Sequence, residues 1–374
     1  MLWIYLLGLA AALWLVILLL PWRPWQTREL LEADASCNAD LSDVTALIPA
    51  RNEAAVIRST LAGLGAQGSG LKIIVVDDRS TDNTAAAVRE LSAVHLTLIQ
   101  GRPLPPSWTG KLWALEQGFG AVQTPYTLLL DADIMLLPAL LPTVLQKLKT
   151  KRRQMVSLMA EPRMDCFWGK LLMPAFVYFF KMLYPFHLSN DGFRWFAAAA
   201  GGCLLVETRA IRQIGGFHAI RRELIDDCAL ARRLQTYGLR TWTGLTRSVK
   251  SQRHSEQLGS IWQMVARTAF HQLRYSLSLL LLTTIVMLIL FWLPVAALFW
   301  TGITTQLVAT VTLALMMISY LPTLVFYGRS RLWAVTLPLI AALYLAMTWT
   351  SALRHWTGAG ATWKKRSYQT HRHY

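Results

Sequence analysis

Three pairs of aspartates carry the chemistry that this 374-residue chain could do: Asp77 with Asp78, Asp131 with Asp133, and Asp226 with Asp227. The first two pairs end apolar, strand-like runs, "LKIIVVDD" and "YTLLLDAD". An unpaired carboxylate in an apolar place is expensive. Each pair must therefore sit where its strand emerges, facing water, a cation or a positive partner. Several like charges delivered to one rim call for a positive ion. The hard cations Mg²⁺ and Mn²⁺ take oxygen ligands and share them with substrate phosphates. Neutralising a diphosphate as the bond to it breaks is chemistry such an ion supplies, and a nucleotide-diphospho-sugar fits the arrangement. The third pair suits a different task. An alcohol is a poor nucleophile until a carboxylate within hydrogen-bond reach takes its proton. Local alternatives stand beside these readings. "DDRSTDNT" would also make a capped turn, and Asp226 with Asp227 would also suit the first turn of a helix.

The elements around these acids alternate. "DVTALIPARNEAAVIRSTLAGL" starts as a strand, turns at Pro49 and continues as a helix, and "LKIIVVDDRSTDNTAAAVREL" repeats the plan. "HLTLIQG" is a third short strand, "SWTGKLWALEQGFGAV" a loop and helix, and "YTLLLDADI" the next strand. Such spacing predicts βαβ units and a largely parallel sheet. Ligands gather beyond the carboxyl ends of strands in sheets of this kind, where Asp77, Asp78, Asp131 and Asp133 would lie. There is no G-x-x-x-x-G-K-[ST] and no G-x-G-x-x-G after a strand, so phosphate-loop NTPase and dinucleotide dehydrogenase readings lose their main support.

The ends of the chain have a different composition. Residues 1–22 begin with "MLWIYLLGLAAALWLVILLL", without a charged side chain and long enough to cross a bilayer. No basic residue precedes this run and no small-residue cleavage site comes after it, so an uncleaved anchor is expected. Arg23 and Arg28 just after it favour a cytoplasmic side for the globular region beyond them. Apolar stretches near 277–300, 304–327 and 333–353 are each long enough to span. Pro294, Pro322 and Pro338 interrupt them, which leaves open a re-entrant segment. Three full crossings would put the basic tail, 354–374, outside, against the positive-inside rule. The formal net charge is +16. From residue 261 onward there are nine Lys or Arg and no acid, a pattern that fits anionic headgroups, not nucleic acid. "FWGKLLMPAFVYFFKMLYPF" within 167–188 and residues 256–276 suit interfacial helices at headgroup depth. Cys37, Cys166, Cys203 and Cys228 show no metal-ligand or disulfide spacing.

"LIPARNEAAVI", "IIVVDDRSTDNT", "GKLWALEQG", "LLLDADI", "AGGCLLVETRAIRQIGGF" and "LIDDCALARRLQTYG" resemble, in that order, the successive motifs of family 2 glycosyltransferases of the GT-A fold. "SLMAEPRMDCFWGKLLMPAFVYFFKMLYPF" and "IWQMVARTAFHQLRYS" resemble its membrane-bound, hopanoid-associated branch. The resemblance implies a GT-A domain over residues 41–255, Rossmann-like with a mostly parallel sheet, flanked by N-terminal and C-terminal transmembrane helices (277–353). It places Pro49, Ala50, Arg51 and Glu53 along the nucleotide pocket, and Asp78, with Asp77 beside it, at the base. Lys111 falls near the nucleotide, and Asp131 and Asp133 at the metal and diphosphate. Gly201 and Gly202 fall where donor sugar and acceptor pass. Asp227 matches the general base. The family form is Glu-Asp where this chain has Asp226-Asp227, so which aspartate faces the acceptor stays open. Processive members carry Gln-x-x-Arg-Trp; here His271-Gln272-Leu273-Arg274-Tyr275 keeps the arginine, Arg274, without the full pattern. Transfer of a single sugar, from a UDP-sugar first, to a lipid is therefore what the resemblance implies, at a multi-pass inner-membrane protein with its catalytic domain cytoplasmic. A polyprenyl-phosphate glycosyltransferase, a polysaccharide synthase and a catalytically silent nucleotide-binding scaffold are the alternatives.

Overall fold

The computed structural model describes residues 2–37, 39–91, 95–193, 195–253, 257–358, 361–363 and 366–368. Lys364, Lys365 and Arg372 of the basic tail lie outside the described residues. Two compact units share the chain: Glu29–Arg163 with Tyr184–Arg253, and Met1–Arg28 with Met164–Leu183 and His254–Tyr374.

The first unit is built on an eight-stranded sheet. Its strands are β1 (Val44–Ala50), β2 (Lys72–Asp77), β3 (Leu96–Gln100), β4 (Tyr126–Leu130), β5 (Ile134–Leu136), β6 (Met155–Glu161), β7 (Cys203–Glu207) and β8 (Thr241–Ser251). They lie in the order β3-β2-β1-β4-β7-β6-β8-β5. The ladders β1–β2, β1–β4, β2–β3 and β6–β8 are parallel. Those of β7 with β4 and β6, and of β5 with β8, are antiparallel.

Side chains alternate across the sheet, as a strand's period of two requires. Ala46, Ile48, Val75, Leu128, Leu130 and Leu205 enter one buried cluster, beneath helices Ile57–Gly65 and Leu140–Thr150. Leu47, Ile74, Val76, Leu129, Leu204 and Val206 enter another, beneath helices Gly110–Phe119 and Asp226–Thr236. Both faces are covered, so these strands are largely apolar, with Thr45 and Thr127 as buried hydroxyl-bearing members, and charge is left to the strand ends. Helix Gly110–Phe119 lies close against the sheet at Gly118, where a Cβ would come within 2.3 Å of Leu47 Cδ1 and 2.6 Å of Val76 Cγ2.

The flank of β8 that β5 leaves open is covered by a strap. Leu30 bridges Leu245 in parallel; Leu31 N–H donates to the Leu245 carbonyl (3.1 Å) and Leu245 N–H to the Glu29 carbonyl (2.8 Å). Glu32 then accepts from Ser248 Oγ (2.8 Å), Thr246 Oγ1 (3.0 Å) and the Arg247 backbone (2.9 Å).

The second unit is helical. Three of its helices, among the described residues, are long and apolar enough to cross a membrane: Leu277–Ala297, Ile303–Phe326 and Arg331–Trp356. The prolines do not break them. A π-helical turn, Leu288–Trp292, precedes Pro294, Pro322 lies inside its helix, and Pro338 occupies a first-turn position, where its missing N–H costs no helical bond. Helix Leu2–Leu19 has 18 residues, about 27 Å at 1.5 Å per residue, at the short end of what spans. Trp14 Nε1 donates to the Leu290 carbonyl (3.1 Å), Tyr344 Oη donates to the Leu172 carbonyl (2.9 Å), and Tyr178 Oη bonds Ser319 Oγ (2.8 Å). Helix Phe167–Leu183 belongs to this unit, whereas Phe186–Asn190 belongs to the sheet unit. There Asn190 is buried, with Nδ2 donating to the Thr243 carbonyl (2.9 Å) and Oδ1 accepting from Thr243 N–H (2.7 Å).

Candidate active site

Asp131 is the first residue beyond β4. Because β7 runs antiparallel to β4 with Cys203 opposite Leu130, the two glycines that lead into β7 arrive beside it. Asp131 N–H donates to the Gly202 carbonyl (3.2 Å). A Cβ on Gly201 would stand 3.2 Å from Asp227 Oδ2 and 3.5 Å from Lys111 Nζ, so a residue without a side chain leaves room here for charged groups.

Lys111 joins the acids. From the first turn of helix Gly110–Phe119 its Nζ lies 2.9 Å from Asp131 Oδ1 and 2.9 Å from Asp226 Oδ2. The three side chains are 20%, 27% and 22% exposed, enough enclosure for their charges to matter. Asp226 and Asp227 open helix Asp226–Thr236, where the helix dipole favours negative charge. Asp227 Oδ1 accepts from Cys228 N–H (2.8 Å). Pro49, Lys111, Asp131, Gly201, Asp226 and Asp227 border one cavity of about 10 Å³, roughly room for one water.

This crowding sets the electrostatics. Burial pushes the Asp227 carboxyl up to about 7; the neighbouring Asp226 charge adds to the rise and Lys111 opposes it. Burial also raises Asp131, again against the pull of Lys111. For Lys111 burial acts downward, but the Asp131 and Asp226 carboxylates override it and hold the ammonium well above its ordinary range. A group that takes up a proton near neutrality is matched to general-base work.

The second member of the D-x-D pair faces another cation. Arg253 donates to Asp133 Oδ2 from Nε (3.1 Å) and from a terminal nitrogen (3.0 Å). Gln252 N–H, at the end of β8, donates to the Asp133 carbonyl (2.8 Å). The Asp133 charge raises the Arg253 guanidinium. Arg253 is the site residue that the sequence does not advertise. Its place comes from β8 pairing with β5, and its local mark is that it stands just past a long strand-like run, "TWTGLTRSVKS".

The nucleotide-pocket candidates lie at the ends of β1 and β2 and share Pro49 with the cavity above. Pro49 is in register with Val76 and Ala50 with Asp77. Asp77 and Asp78 are buried. Asp78 N–H donates to the Ala50 carbonyl (2.8 Å), Arg51 donates to the Asp78 and Arg79 carbonyls (2.5 and 3.0 Å), and Glu53 N–H donates to Thr84 Oγ1 (2.8 Å). With β1 lying between β2 and β4, Asp77 and Asp131 stand two strand spacings apart, about 10 Å. Both groups open on the same edge of the sheet. Arg274 belongs to the helical unit, exposed and with a left-handed backbone (φ 52°).

Asp131 and Asp133 offer oxygen donors only. Among the described residues no group of three or more His, Cys, Asp or Glu converges as a metal cage. One or two carboxylates, with phosphate and water completing the shell, is how Mg²⁺ usually binds, and the donor set fits a hard divalent cation on those terms.

Comparison with known proteins agrees with this architecture. Residues 42–269 match the family model described as glycosyltransferase like family 2. The probable glycosyltransferase YdaM of Bacillus subtilis (strain 168) is 37% identical over 99 residues, 25% of this chain and 23% of that protein. The 4,4'-diaponeurosporenoate glycosyltransferase of Staphylococcus haemolyticus (strain JCSC1435) is 29% identical over 113 residues, 30% of each. The matches thus span less than a third of the length of these curated relatives. Among solved structures, the mannosyltransferase PcManGT from Pyrobaculum calidifontis, in complex with GDP-Man and Mn²⁺, superposes with a TM-score of 0.54 at 17% identity, covering 96% of this chain and 100% of that one. That likeness is one of fold. The family model takes in well over half of the chain, including every acid pair described above, and the chain belongs to the glycosyltransferase like family 2.

Proposed function

We propose that this protein is a membrane-bound, inverting glycosyltransferase that moves one sugar from a nucleotide-diphospho-sugar to the hydroxyl of a lipid, a hopanoid or related polyisoprenoid. The observation that carries the reading is the Lys111 bridge: one ammonium holds Asp131 against Asp226, beside a carboxyl, Asp227, whose proton comes and goes near pH 7. Asp227 accepts the acceptor's hydroxyl proton. The freed oxygen attacks the anomeric carbon from the side opposite the diphosphate, and the configuration there inverts as the old bond breaks.

Asp131 and Asp133 would hold Mg²⁺ or Mn²⁺, which when bound neutralises charge on the leaving diphosphate. Mn²⁺ and GDP-Man accompany PcManGT, which supports such an ion and a nucleotide-sugar donor here. Lys111 and Arg253 are the cations already aimed at those carboxylates, and each can turn to diphosphate oxygens as the donor arrives. Pro49, Ala50, Arg51, Glu53, Asp77 and Asp78 line the nucleotide end, and Gly201 and Gly202 leave space for the sugar. Arg274 is assigned to phosphate contact, from donor or headgroup.

The lipid acceptor rests on the three membrane-length helices carried by the same chain, which also support a multi-pass protein in the cell inner membrane. The test uses the full chain in detergent or nanodiscs. Nucleotide-sugar turnover should stop on chelation, return with Mn²⁺, and fall about 10²–10⁴-fold in Asp227→Asn, the usual contribution of a general base. Turnover indifferent to both would overturn the assignment. Lipid mass spectrometry of cells lacking the gene would report the acceptor and the added sugar together.

A further inference from the structure

The helical unit contains a cavity of about 470 Å³ that the chemistry above does not use. Its walls come from helices Leu258–Ala266, Leu277–Ala297 and Arg331–Trp356. Ala342, Ala346 and Trp349 fall at i, i+4 and i+7 on one face of the last helix. Trp262, Met287 and Trp292 complete the enclosure. Three alanines, Ala341, Ala342 and Ala346, set among three tryptophans leave a hollow where larger side chains would have met.

The indole N–H groups of Trp262 and Trp349 and the Thr350 hydroxyl are already engaged. Trp262 Nε1 donates to Thr350 Oγ1 (3.1 Å) and Trp349 Nε1 to Thr284 Oγ1 (3.0 Å). Thr350 Oγ1 donates in turn to the Ala346 carbonyl (2.9 Å). Among the described residues no charged side chain borders the space. The hollow therefore offers ring faces and methyl groups, and an apolar hollow of this kind takes apolar ligands in preference to water. Its volume lies in the ordinary range for small-molecule sites.

The opening lies on the outward, apolar side of helices long enough to span. Leu288 is 48% exposed, Leu353 53% and Trp292 39%. In a helix that crosses a bilayer, such a face would meet hydrocarbon. We infer that this cavity binds the apolar body of the acceptor lipid, an isoprenoid-derived hydrocarbon, and so holds the acceptor by the part that does not react. The choice of the acceptor over a bulk acyl chain rests on the glycosyltransferase reading. Three rigid aromatic walls around a fixed hollow suit a branched or ring-bearing body better than a straight, mobile chain.

The test uses the full-length protein in phosphatidylcholine nanodiscs, where acyl chains are in large excess, and a diazirine-bearing farnesol as probe. Photolabel should concentrate on residues 258–266, 287–292 and 337–356 and be displaced by unlabelled farnesol. Ala342→Phe and Ala346→Phe fill the hollow and should cut labelling about tenfold or more, about 1.4 kcal/mol of binding. Donor binding by calorimetry should be unchanged and shows that the sheet unit is folded. Trp262→Ala enlarges the hollow and should keep displaceable labelling while moving the labelled positions. Label scattered over all apolar helices, label that farnesol does not displace, or label that persists in both phenylalanine variants would overturn the inference. Site-specific labelling without nucleotide-sugar turnover would overturn the enzymatic reading and leave the cavity as a site for an isoprenoid hydrocarbon that is not an acceptor. Turnover without site-specific labelling would do the reverse.

Discussion

The two units solve one problem in opposite directions. In the sheet unit, residues such as Leu47, Val75 and Leu128 are fully buried between helices and sheet, and charge is pushed to the strand ends. In the helical unit the arrangement is inverted. Leu281, Leu282, Ile285, Val311 and Val325 face outward at 46–56% exposure, while Thr312, Ser319, Tyr320 and Thr323 are buried. Water as solvent rewards the first pattern. Hydrocarbon removes the penalty on outward apolar surface and leaves small hydroxyl-bearing residues as the material of helix contacts. The helical unit thus carries the pattern that hydrocarbon favours and the sheet unit the pattern that water favours, and the enclosed charges of the sheet unit depart from its own pattern.

The comparison is most exposed at Lys111. Lys111→Met strands Asp131, Asp226 and Asp227 together without their shared cation. Transfer should fall by about 10²-fold or more, the scale of a lost electrostatic clamp. Thermal unfolding of the sheet unit should show a loss on the order of 3 kcal/mol, as when one partner of an enclosed pair is removed. A variant with wild-type rate and melting would make the cluster a surface ornament. Next comes a matched pair of surface changes. Ile285→Lys places a charge near the middle of an outward apolar face and should cost up to about 3 kcal/mol of membrane insertion, read as protein lost from the membrane fraction. Tyr237→Lys, at 46% exposure on the sheet unit, should stay within about 0.5 kcal/mol in a melting assay. Equal responses would erase the distinction between the two solvents.

A third contrast uses two helical glycines. Gly118→Ala drives a methyl into Leu47 and Val76 and should cost about 1–3 kcal/mol. At Gly8 nothing lies within 4 Å of a Cβ, so Gly8→Ala should be neutral or stabilise by up to about 1 kcal/mol. The smallest signal is a pH limb. Asp227 must be ionised to accept a proton, and its folded carboxyl titrates at about 7 rather than at the ordinary 3.8. Transfer, monitored as kcat/KM, should be full above that value and fall about tenfold per pH unit below it. Stability should run the other way. The folded carboxyl keeps its proton after the unfolded one has lost it, so its contribution is full below pH 3.8 and is lost as pH rises through 7. Lys111→Met removes the opposing cation and should move the limb upward. An acid limb in the ordinary carboxylate range would exclude Asp227 as the titrating group.

Much of this was legible in the sequence, for local reasons. An apolar run that stops at "DD" or "DAD" can only be a strand leaving a core, and the alternation from β1 to β4 reads directly from such runs. The reversed strands were not legible as such, because β7 and β5 owe their direction to partners far along the chain. Arg253 was hidden for the same reason. It meets Asp133 across 120 positions, through strand pairing that no nearby residue announces. Lys111 was placed near the nucleotide by motif order, but its double contact to Asp131 and Asp226 depends on two helices converging on one strand end. The continuity of the proline-bearing helices was likewise unreadable, since whether a proline bends or ends a helix is decided by the turn before it, as the π-turn ahead of Pro294 shows.

The strap formed by Glu29 to Ala33 has a consequence for how this molecule keeps to itself. It pairs with the flank of β8 that would otherwise present bare amides and carbonyls, and Glu32 ties the pairing down with three hydroxyl and amide donors. A sheet with such a flank uncovered invites other strands to dock. Chains begun after Ala33 should therefore clump through that flank, and a soluble version of the catalytic half would have to start upstream of Glu29.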